Sequence, residues 1–520
     1  MITRRISVLV SLGTVAAWLA VGHGQGAQPA APASAVFSVR AFGAVGDGRT
    51  IDTPAINRAI DAAAAAGGGT VHFTAGHYLS VSIHLKSHVG LFLDHGATIV
   101  AAEPAEGVAY DPPEPNPWDA YQDFGHSHWH NSLIWGEKVE DVSITGPGRI
   151  WGRGLVRSNK VPPGGGNKAI ALKLSRNVVI RDISILTGGH FAILATGVDN
   201  LTIDNLKIDT NRDGIDVDAC RNVRLSNLTI NSPFDDAICL KSSYALGVAR
   251  ATENVTVTNS QVSGYDEGTL LDGTFTRRDP KSYSHQSPTG RVKFGTESNG
   301  GFKNITISNV VFDYSRGLAL ETVDGGLLED VTITNLTMRD VVNPPIFVRL
   351  GNRARGPKET TAVGKLRRVQ ISNVVAYNAE PRYASIISGI PGHDIEDVTL
   401  SNIRIHYKGG GTAAQAALAP PENETAYPEP VMFGEMPAYG FFIRHVSGLE
   451  MRNVRVGFAA DDLRPAFVLN DVTGAEFQHV RAARAASVPT FVLRNVRDFA
   501  VHESPPVPDV RERLLKYRSY

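Results

Sequence analysis

The chain has 520 residues, of which 42% are hydrophobic and 20% are charged, and its 51 basic and 52 acidic side chains nearly cancel. This is an ordinary globular composition, long enough to bury a large core. Because a dedicated nucleic-acid binder normally carries a basic excess, the balanced charge argues against one, and we expect no nucleic-acid partner.

The first residues have the pattern of an export signal. Arg4 and Arg5 form a basic start, and residues 6–21 are apolar but short for a membrane span. We therefore expect an exported protein, periplasmic or extracellular, with no membrane partner and acting as a monomer. The predicted organisation is a signal peptide over 1–28, a Pro/Ala linker over 29–35, one folded domain over 36–505 and a C-terminal tail over 506–520.

A single helix is predicted near the start of the domain. Asp52 is a preferred residue for a helix N-cap, and Pro54 suits the first turn. Residues 55–66 are rich in alanine, and the glycines at 67–69 end the segment.

From residue 139 onward a short phrase recurs, in which Asn or Asp is followed by alternating polar and β-branched residues. Copies at Asn177, Asn200 and Asn222 are separated by 23 and 22 residues. Alternation with period two predicts short strands, and a repeat in the twenties predicts stacked coils. We predict an all-β fold, a single-stranded right-handed parallel β-helix (a solenoid) with an N-terminal capping helix over its open end.

The same repeat creates Asn-x-Thr triplets, which are possible glycan acceptors, at Asn200, Asn254, Asn304 and Asn335. Their recurrence at one point of the repeat favours turn residues that hydrogen-bond one another at a tight corner. Only two cysteines occur, Cys220 and Cys239, so the chain is not a disulfide scaffold, and we expect two buried free thiols.

Two acidic clusters stand out within the repeat. One spans 211–216 and contains Asp213, and the other spans 232–237 and contains Asp235 and Asp236. Asp213 and Asp235 are 22 positions apart, so in a solenoid they lie on neighbouring turns. Crowded carboxylates repel one another unless a partner or a reaction compensates. Each alone is a plausible turn residue, but together they indicate the acid/base apparatus of a glycoside hydrolase.

With these motifs the chain resembles glycoside hydrolase family 28, the polygalacturonase-like pectinases, as a divergent bacterial member. The matching motifs are Asn-x-Asp-Gly-Ile-Asp from Asn211 and Asp-Asp-x-Ile-x-x-Lys-Ser from Asp235. The resemblance implies an exported, inverting hydrolase of pectic polysaccharide with no cofactor and no metal. It implies that Asp235 is the general acid and that Asp213 and Asp236 activate water. Inversion normally requires carboxyl groups about 6.5–9.5 Å apart.

Two departures from the family pattern bear on specificity. The family's Gly-His-Gly is replaced by Thr289, Gly290 and Arg291, and its Arg-Ile-Lys, which grips a galacturonate, is replaced by residues 319–321, ending in Glu321. We therefore expect a branched or rhamnose-containing fraction of pectin rather than plain polygalacturonate, with Glu321 accepting hydrogen bonds from neutral sugar hydroxyls. The alternative is that Glu321 pairs with Arg291 or Lys293 and touches no substrate.

Further substrate-binding candidates follow from register, motif or composition. His190 precedes Asp213 by one repeat, Lys241 belongs to the second motif, and Arg349 ends an apolar strand. The segment 125–130 contains three alternating histidines. Three interpretations are open: a metal site, a wall against which a sugar ring packs, or a polar loop. The residues of that segment and its surroundings are His126, His128 and His130, with Trp118, Trp129 and Trp135.

Two other functions compete with hydrolysis. A polysaccharide lyase on the same fold would need a base and usually calcium to neutralise a uronate. A non-catalytic β-helix used for glycan binding or adhesion would have no reason to crowd three carboxylates.

Overall fold

The computed structural model describes residues 35–123, 125–158, 160–283, 287–359 and 361–520. The predicted signal peptide, 1–28, and positions 29–34 of the predicted linker lie outside the described residues. Within the described ranges, no helix is long and apolar enough to cross a membrane.

The strands form a right-handed parallel β-helix, which confirms the predicted fold class. Each turn pairs in parallel with the turn before and after it, so that equivalent residues stack along the axis. Ile170, Ile193, Ile215 and Ile238 are aligned in this way and fully buried. Because side chains alternate across a strand, the residues between them point away from the core, yet Ala171, Leu194, Asp216 and Cys239 are buried as well.

Early turns consist of short strands, whereas later strands bend across two faces of the solenoid. The early strands are Val36–Ser38, Asp47–Ile51, Gly69–Phe73, Gly76–Ser80, Ile83–His84, Val89–Leu93, Ala97–Ala101, Ile134–Glu137, Glu140–Thr145, Arg149–Trp151, Lys168–Lys173, Arg176–Arg181, Ser184–Leu186, Phe191–Thr196, Asp199–Asp204, Lys207–Asp209, Asp213–Asp218, Arg221–Ser226, Thr229–Asn231 and Ile238–Ser242. The later strands are Thr252–Ser263, Val292–Ser298, Phe302–Asp313, Leu318–Thr322, Leu327–Arg339, Ile346–Leu350, Lys365–Ala379, Ser385–Ser388, Ile395–Gly409, Phe441–Ala460, Phe467–Gln478, Arg481–Ala482, Phe491–His502 and Val510–Ser519. The helices are Thr53–Ala65 and Ala413–Ala416, with 3₁₀ turns at Val39–Phe42, Asp119–Tyr121, Pro280–Ser282 and Pro430–Phe433.

The helix Thr53–Ala65 packs on the first strands, as predicted, but its start differs from the expected cap. The Asp52 carboxylate makes no capping bond to the helix and instead accepts hydrogen bonds from the backbone of Val45 and Gly46, at 2.6 and 3.0 Å. Asp52 therefore fixes the preceding turn. At the other end, Gly67 and Gly68 donate to the carbonyls of the last helical turn, as expected for a glycine-terminated helix.

An asparagine ladder runs along one corner of the solenoid. Asn200 donates to Asn177, Asn222 to Asn200, Asn254 to Asn222 and Asn304 to Asn254, at 2.8–3.1 Å. All five residues have φ near +55°, a conformation that asparagine tolerates better than most residues. The prediction that Asn200, Asn254 and Asn304 are turn residues bonded to one another is confirmed, whereas Asn335 lies at a different corner, where it donates to Asn309 at 3.0 Å.

The C-terminal segment differs from the predicted tail over 506–520. Its strand Val510–Ser519 pairs antiparallel with Phe491–His502 and covers the last open edge of the sheet. The folded unit thus extends past residue 505. Cys220 and Cys239 are buried free thiols, as predicted.

Candidate active site

The solenoid brings the two acidic motifs together at the entrance to one outward-facing sheet. Asp213 begins the strand Asp213–Asp218, and Asp235 and Asp236 lie in the turn before the neighbouring strand Ile238–Ser242. The backbone N–H of Gly214 donates to the Asp236 carbonyl at 3.0 Å. One carboxylate oxygen from each of the three aspartates lies within 4.8 Å of the others. The three form the acidic trio of the site.

This separation is shorter than the about 6.5–9.5 Å that is typical between the carboxyl groups of inverting glycosidases. The nearest oxygens of the trio are within 4.8 Å of one another. Inversion therefore stays a prediction from the family resemblance and gains no support from the spacing.

Asp235 is the exposed member of the trio. Its side chain is 25% accessible, whereas Asp213 and Asp236 are both buried. The guanidinium of Arg212 lies 2.6 Å from the Asp235 carboxylate and is itself 32% accessible. Asp235 is thus the carboxyl that a substrate can reach, and Arg212 is the cation beside it.

Asp236 is held by two buried cations. Arg291 Nε donates to its Oδ1 at 2.7 Å, and Lys293 Nζ lies 3.4 Å from its Oδ2. Burial raises the pKa of this carboxyl, but the Arg291 and Lys293 charges outweigh burial and hold the pKa well below its usual range. Asp236 is therefore ionised at neutral pH.

Asp213 has the opposite character. Burial, followed by the charges of Asp216 and Asp235, raises the pKa of its carboxyl well above the usual range. Its Oδ1 is buried and has no hydrogen-bond partner. The trio thus contains one carboxyl that favours the protonated form and one that favours the ionised form, as acid/base chemistry requires.

Arg291 is occupied by protein partners. Its guanidinium also contacts Glu429, which comes from the long segment between strands at 410–440. The second oxygen of Glu429 accepts from Arg316 at 3.0 Å. Glu429 therefore fastens this segment to the acidic trio, and Arg291 is a buried support rather than a substrate contact.

A second buried layer lies beneath the trio. His126 Nε2 is 3.1 Å from Asp216 Oδ2, and Lys241 Nζ is 3.1 Å from Glu297 and 3.8 Å from Asp216. Arg355 completes the layer through Glu297. Lys241 thus supports the acids from below, and its buried side chain is not placed to meet a substrate.

His190 lies beside the trio, as its register predicted. Its Nδ1 is 2.9 Å from the Arg157 carbonyl, and its Nε2 is 3.4 Å from a guanidinium nitrogen of Arg212. Burial, followed by the Arg212 charge, lowers the pKa of His190 to about 2. A neutral imidazole next to Arg212 can position that arginine but cannot act as a cation toward a uronate.

Trp129 and Arg349 were predicted as substrate contacts but are not at the groove surface. Trp129 is fully buried and donates from Nε1 to Thr196 Oγ1 at 3.0 Å. Arg349 is fully buried and donates to Ser388 and to three backbone carbonyls. These internal partners have no signal in the sequence, because they come from turns and segments distant along the chain.

Glu321 is also buried, and neither carboxylate oxygen has a hydrogen-bond partner. Lys293 Nζ lies 3.7 Å from it. Burial raises the pKa of Glu321 to about 7, although Lys293 and Arg291 oppose the shift. The alternative in which Glu321 pairs with Lys293 matches this geometry, and the expected contact with sugar hydroxyls does not.

Two apolar covers flank the trio along the axis. On the amino-terminal side Trp129 packs over Phe191 and Leu194. On the carboxy-terminal side Phe433 and Met436 of the segment 410–440 pack over outward-facing residues of the same sheet, among them Ala319, Phe347 and Phe442. The outward face is therefore open around Asp235 and covered on both sides of it.

The histidines of the 125–130 segment separate in the structure. His126 joins the buried layer, whereas His130 stacks on Trp135 with ring centroids 4.0 Å apart. His130 also groups with Glu114 and Glu137 in a geometry that can hold a metal. Lys173 Nζ lies 3.5 and 3.6 Å from those two carboxylates and balances their charge. The group is thus satisfied by protein contacts.

Sequence reasoning missed two charged residues of the site, Arg212 and Glu429, and named Lys293 only as a possible partner of Glu321. Arg212 was visible as the variable position of the first motif, between Asn211 and Asp213. Lys293 follows Arg291 by two positions and points to the same side of its strand. Glu429 has no local signal, because it lies 138 positions from the arginine that it contacts.

Comparison with known proteins agrees with the fold. Residues 119–266 match the model of glycosyl hydrolases family 28, and residues 36–104 match the model described as rhamnogalacturonase A/epimerase, pectate lyase-like. A probable polygalacturonase of Vitis vinifera is 26% identical over 389 residues, which are 70% of this chain and 73% of that protein.

Two solved structures share the fold. The hyperthermoactive exopolygalacturonase of Thermotoga maritima has a TM-score of 0.57 at 20% identity, covering 72% of this chain and 88% of that one. The family 28 exopolygalacturonase of Yersinia enterocolitica has a TM-score of 0.56 at 17% identity, covering 91% of this chain and 79% of that one. The β-helix and the acidic trio thus define a polygalacturonase-like glycoside hydrolase. The chain is therefore similar to the polygalacturonases of glycoside hydrolase family 28.

Proposed function

We propose that this glycoside hydrolase cleaves a branched or rhamnose-containing fraction of pectin in preference to plain polygalacturonate. One observation carries the proposal: among the described residues, each cation in contact with the trio already has an acidic partner. Arg212 pairs with Asp235, Arg291 with Asp236 and Glu429, and Lys293 with Asp236 and Glu321.

A uronate at the cleavage point would have to break one of these pairs to gain a cation, at the cost of leaving a buried carboxylate unpaired. A neutral sugar makes no such demand. The match of residues 36–104 to a model named for rhamnogalacturonase supports the same preference.

In the proposed mechanism Asp235 protonates the leaving glycosidic oxygen, because it is the accessible carboxyl of the trio. Asp236 accepts a proton from the attacking water, whose oxygen bonds to the anomeric carbon as the glycosidic bond breaks. The proton that the Asp213 carboxyl holds in the free site passes through the trio to Asp235 and from there to the leaving oxygen, and Asp213 then helps to hold the water.

The covered sheet on either side of Asp235 supports attack near a chain end, since a long polymer has no open path along the axis across the trio. Inversion follows from the family correspondence, and export follows from the pattern of residues 1–28. Both belong to the proposal, together with the monomeric state. Neither a lyase nor a non-catalytic binding protein has an observation in its favour that hydrolysis lacks.

The test is a panel of polygalacturonate, rhamnogalacturonan and branched pectin, with Asp236→Asn as the inactive control. New reducing ends without unsaturated uronate absorbance are expected, with higher kcat/KM on rhamnogalacturonan. Proton NMR of the first product reports its anomeric configuration. Faster cleavage of plain polygalacturonate would refute the specificity, and unsaturated products would refute hydrolysis.

A further inference from the structure

Three arginines form a ladder on a different face of the solenoid from the acidic trio. Arg404, Arg455 and Arg481 occupy equivalent positions on successive turns, each paired in register with the next. All three are exposed, and within the described residues none of the three guanidinium groups has an ion pair or a hydrogen bond. Like charges placed directly opposite one another destabilise a sheet, and no acidic partner in the described part of the chain offsets that cost for the ladder.

Concave surface surrounds this arginine ladder. Two adjacent clefts of about 350 and 630 Å³ are each lined by all three arginines. The larger cleft also contains Tyr377 and His406, whose rings stack at 5.3 Å with an angle of 18° between planes. Tyr377 is 56% exposed, which leaves an aromatic surface beside the cations on which a sugar ring can pack.

We propose that the arginine ladder is a secondary binding site for a polyuronate chain, separate from the site of cleavage. The ladder repeats about every 4.8 Å, the distance between neighbouring strands. A pyranose unit advances a polysaccharide by a similar distance, so carboxylates along the chain can meet successive guanidinium groups. Arginine suits this role because its planar fork binds carboxylates in bidentate fashion.

The position of the ladder relative to the trio fits a tether for polymeric substrate. The strand Thr229–Asn231 leads into the turn of Asp235, and from it the register runs through Gln261, Val311, Thr337 and Val375 to Arg404. These five steps place Arg404 about 24 Å along the axis from the level of the trio, at ~4.8 Å per step. A chain bound there raises the effective concentration of its remaining length at the catalytic site.

This inference rests on the proposed pectic substrate, but its test measures binding and not cleavage. The full chain carrying Asp235→Asn is compared with the same chain carrying also Arg404→Gln, Arg455→Gln and Arg481→Gln. Retention in gels containing polygalacturonate is the readout. We expect at least a tenfold weaker apparent affinity at low salt for the triple glutamine variant, and little difference at 1 M salt, where exposed charges are screened.

Two matched controls accompany the test. Arg224→Gln removes one exposed cation from another face, and the triple arginine-to-lysine variant keeps the charge without the planar fork. The first should bind as the parent does, and the second should bind between parent and glutamine variant. Equal melting temperatures exclude a folding defect, and if the glutamine variant does not fold, the lysine variant alone decides.

Unchanged retention of the glutamine variant overturns the proposal. Equal retention by fully methyl-esterified pectin, or by DNA of equal charge, also overturns it, because the site would then not recognise a uronate chain. Hydrolysis of short oligosaccharides by the wild type is measured separately. If the wild type cleaves none of them but the ladder still binds polygalacturonate, the proposed function is wrong and the proposed binding site is still supported.

Discussion

Arg212 lies 2.6 Å from Asp235 and joins the exposed acid of the trio to an exposed cation. This contact arises because the two residues occupy the same corner on neighbouring turns, one repeat apart. In the proposed mechanism, it places a positive charge beside the carboxyl that delivers the proton. Arg212 thus connects the substrate side of the site with His190 behind it.

Replacing Asp235 by asparagine should lower kcat by 10²–10⁴-fold while leaving the fold intact, because general acid catalysis contributes about that much and the side-chain volume is unchanged. Turnover of reducing ends and thermal melting are the measurements. Asp141→Asn is the matched control: Asp141 accepts from Asn177 at the end of the asparagine ladder, where an amide suits the turn. Retention of a third of wild-type activity by Asp235→Asn would show that another residue is the acid.

Arg212→Gln should move the alkaline limb of the kcat/KM profile to higher pH. The Asp213 carboxyl already has a raised pKa through burial and neighbouring carboxylates. Removing the cation next to the trio favours the protonated form further, so activity is lost only at a higher pH. Arg221→Gln, which removes an arginine paired with Glu253 on another face, should leave the profile in place. A shift to lower pH in Arg212→Gln contradicts the assignment.

Glu321→Gln should stabilise the protein at alkaline pH. The pKa of Glu321 rises from 4.5 to about 7 on folding, chiefly through burial. A raised folded pKa means that its contribution to stability is fully present below pH 4.5 and is lost as the pH rises through 7. The glutamine variant avoids this loss, which amounts to at most about 3 kcal/mol at pH 8.

Melting temperatures of wild type and Glu321→Gln between pH 4.5 and 8 check this prediction. The melting temperature of the variant should increase relative to that of the wild type as the pH rises. Replacement of Glu329 by glutamine is a control with the opposite expected pH dependence of stability. Hydrogen bonds from Arg367 and Arg368 outweigh the burial of Glu329 and lower its pKa. If the melting temperature of Glu321→Gln instead fell relative to that of the wild type as the pH rises, the ion pair with Lys293 would outweigh burial.

Glu429→Ala should loosen the segment 410–440 and reduce activity. The substitution leaves Arg291 and Arg316 buried without their carboxylate, and breaking a buried pair typically costs about 3–5 kcal/mol. Melting temperature, proteolysis within the segment and kcat/KM are the readouts. Glu435→Ala in the same segment is the control, because Glu435 is exposed and contacts Gln415 only through a side-chain hydrogen bond. Equal behaviour of the two variants would show that Glu429 does not fasten the segment.

The repeat by itself determined the solenoid, the asparagine corner and the meeting of Asp213 with Asp235 and Asp236. Each depends on a short motif that returns at a fixed interval, and in a solenoid a fixed interval in sequence becomes one step of about 4.8 Å in space. The capping helix was predictable for a similar reason, since its alanines, proline and glycines act locally.

Only the tertiary structure decided what surrounds the trio. Glu429 reaches Arg291 from 138 positions away, and the segment that carries it also covers part of the sheet. Trp129, Arg349 and Glu321 have the residue types of sugar contacts, but burial by distant segments makes them internal. Sequence patterns report which residues recur at one angle of the solenoid, whereas the loops that cover a turn have no period, and their contacts are fixed by packing alone.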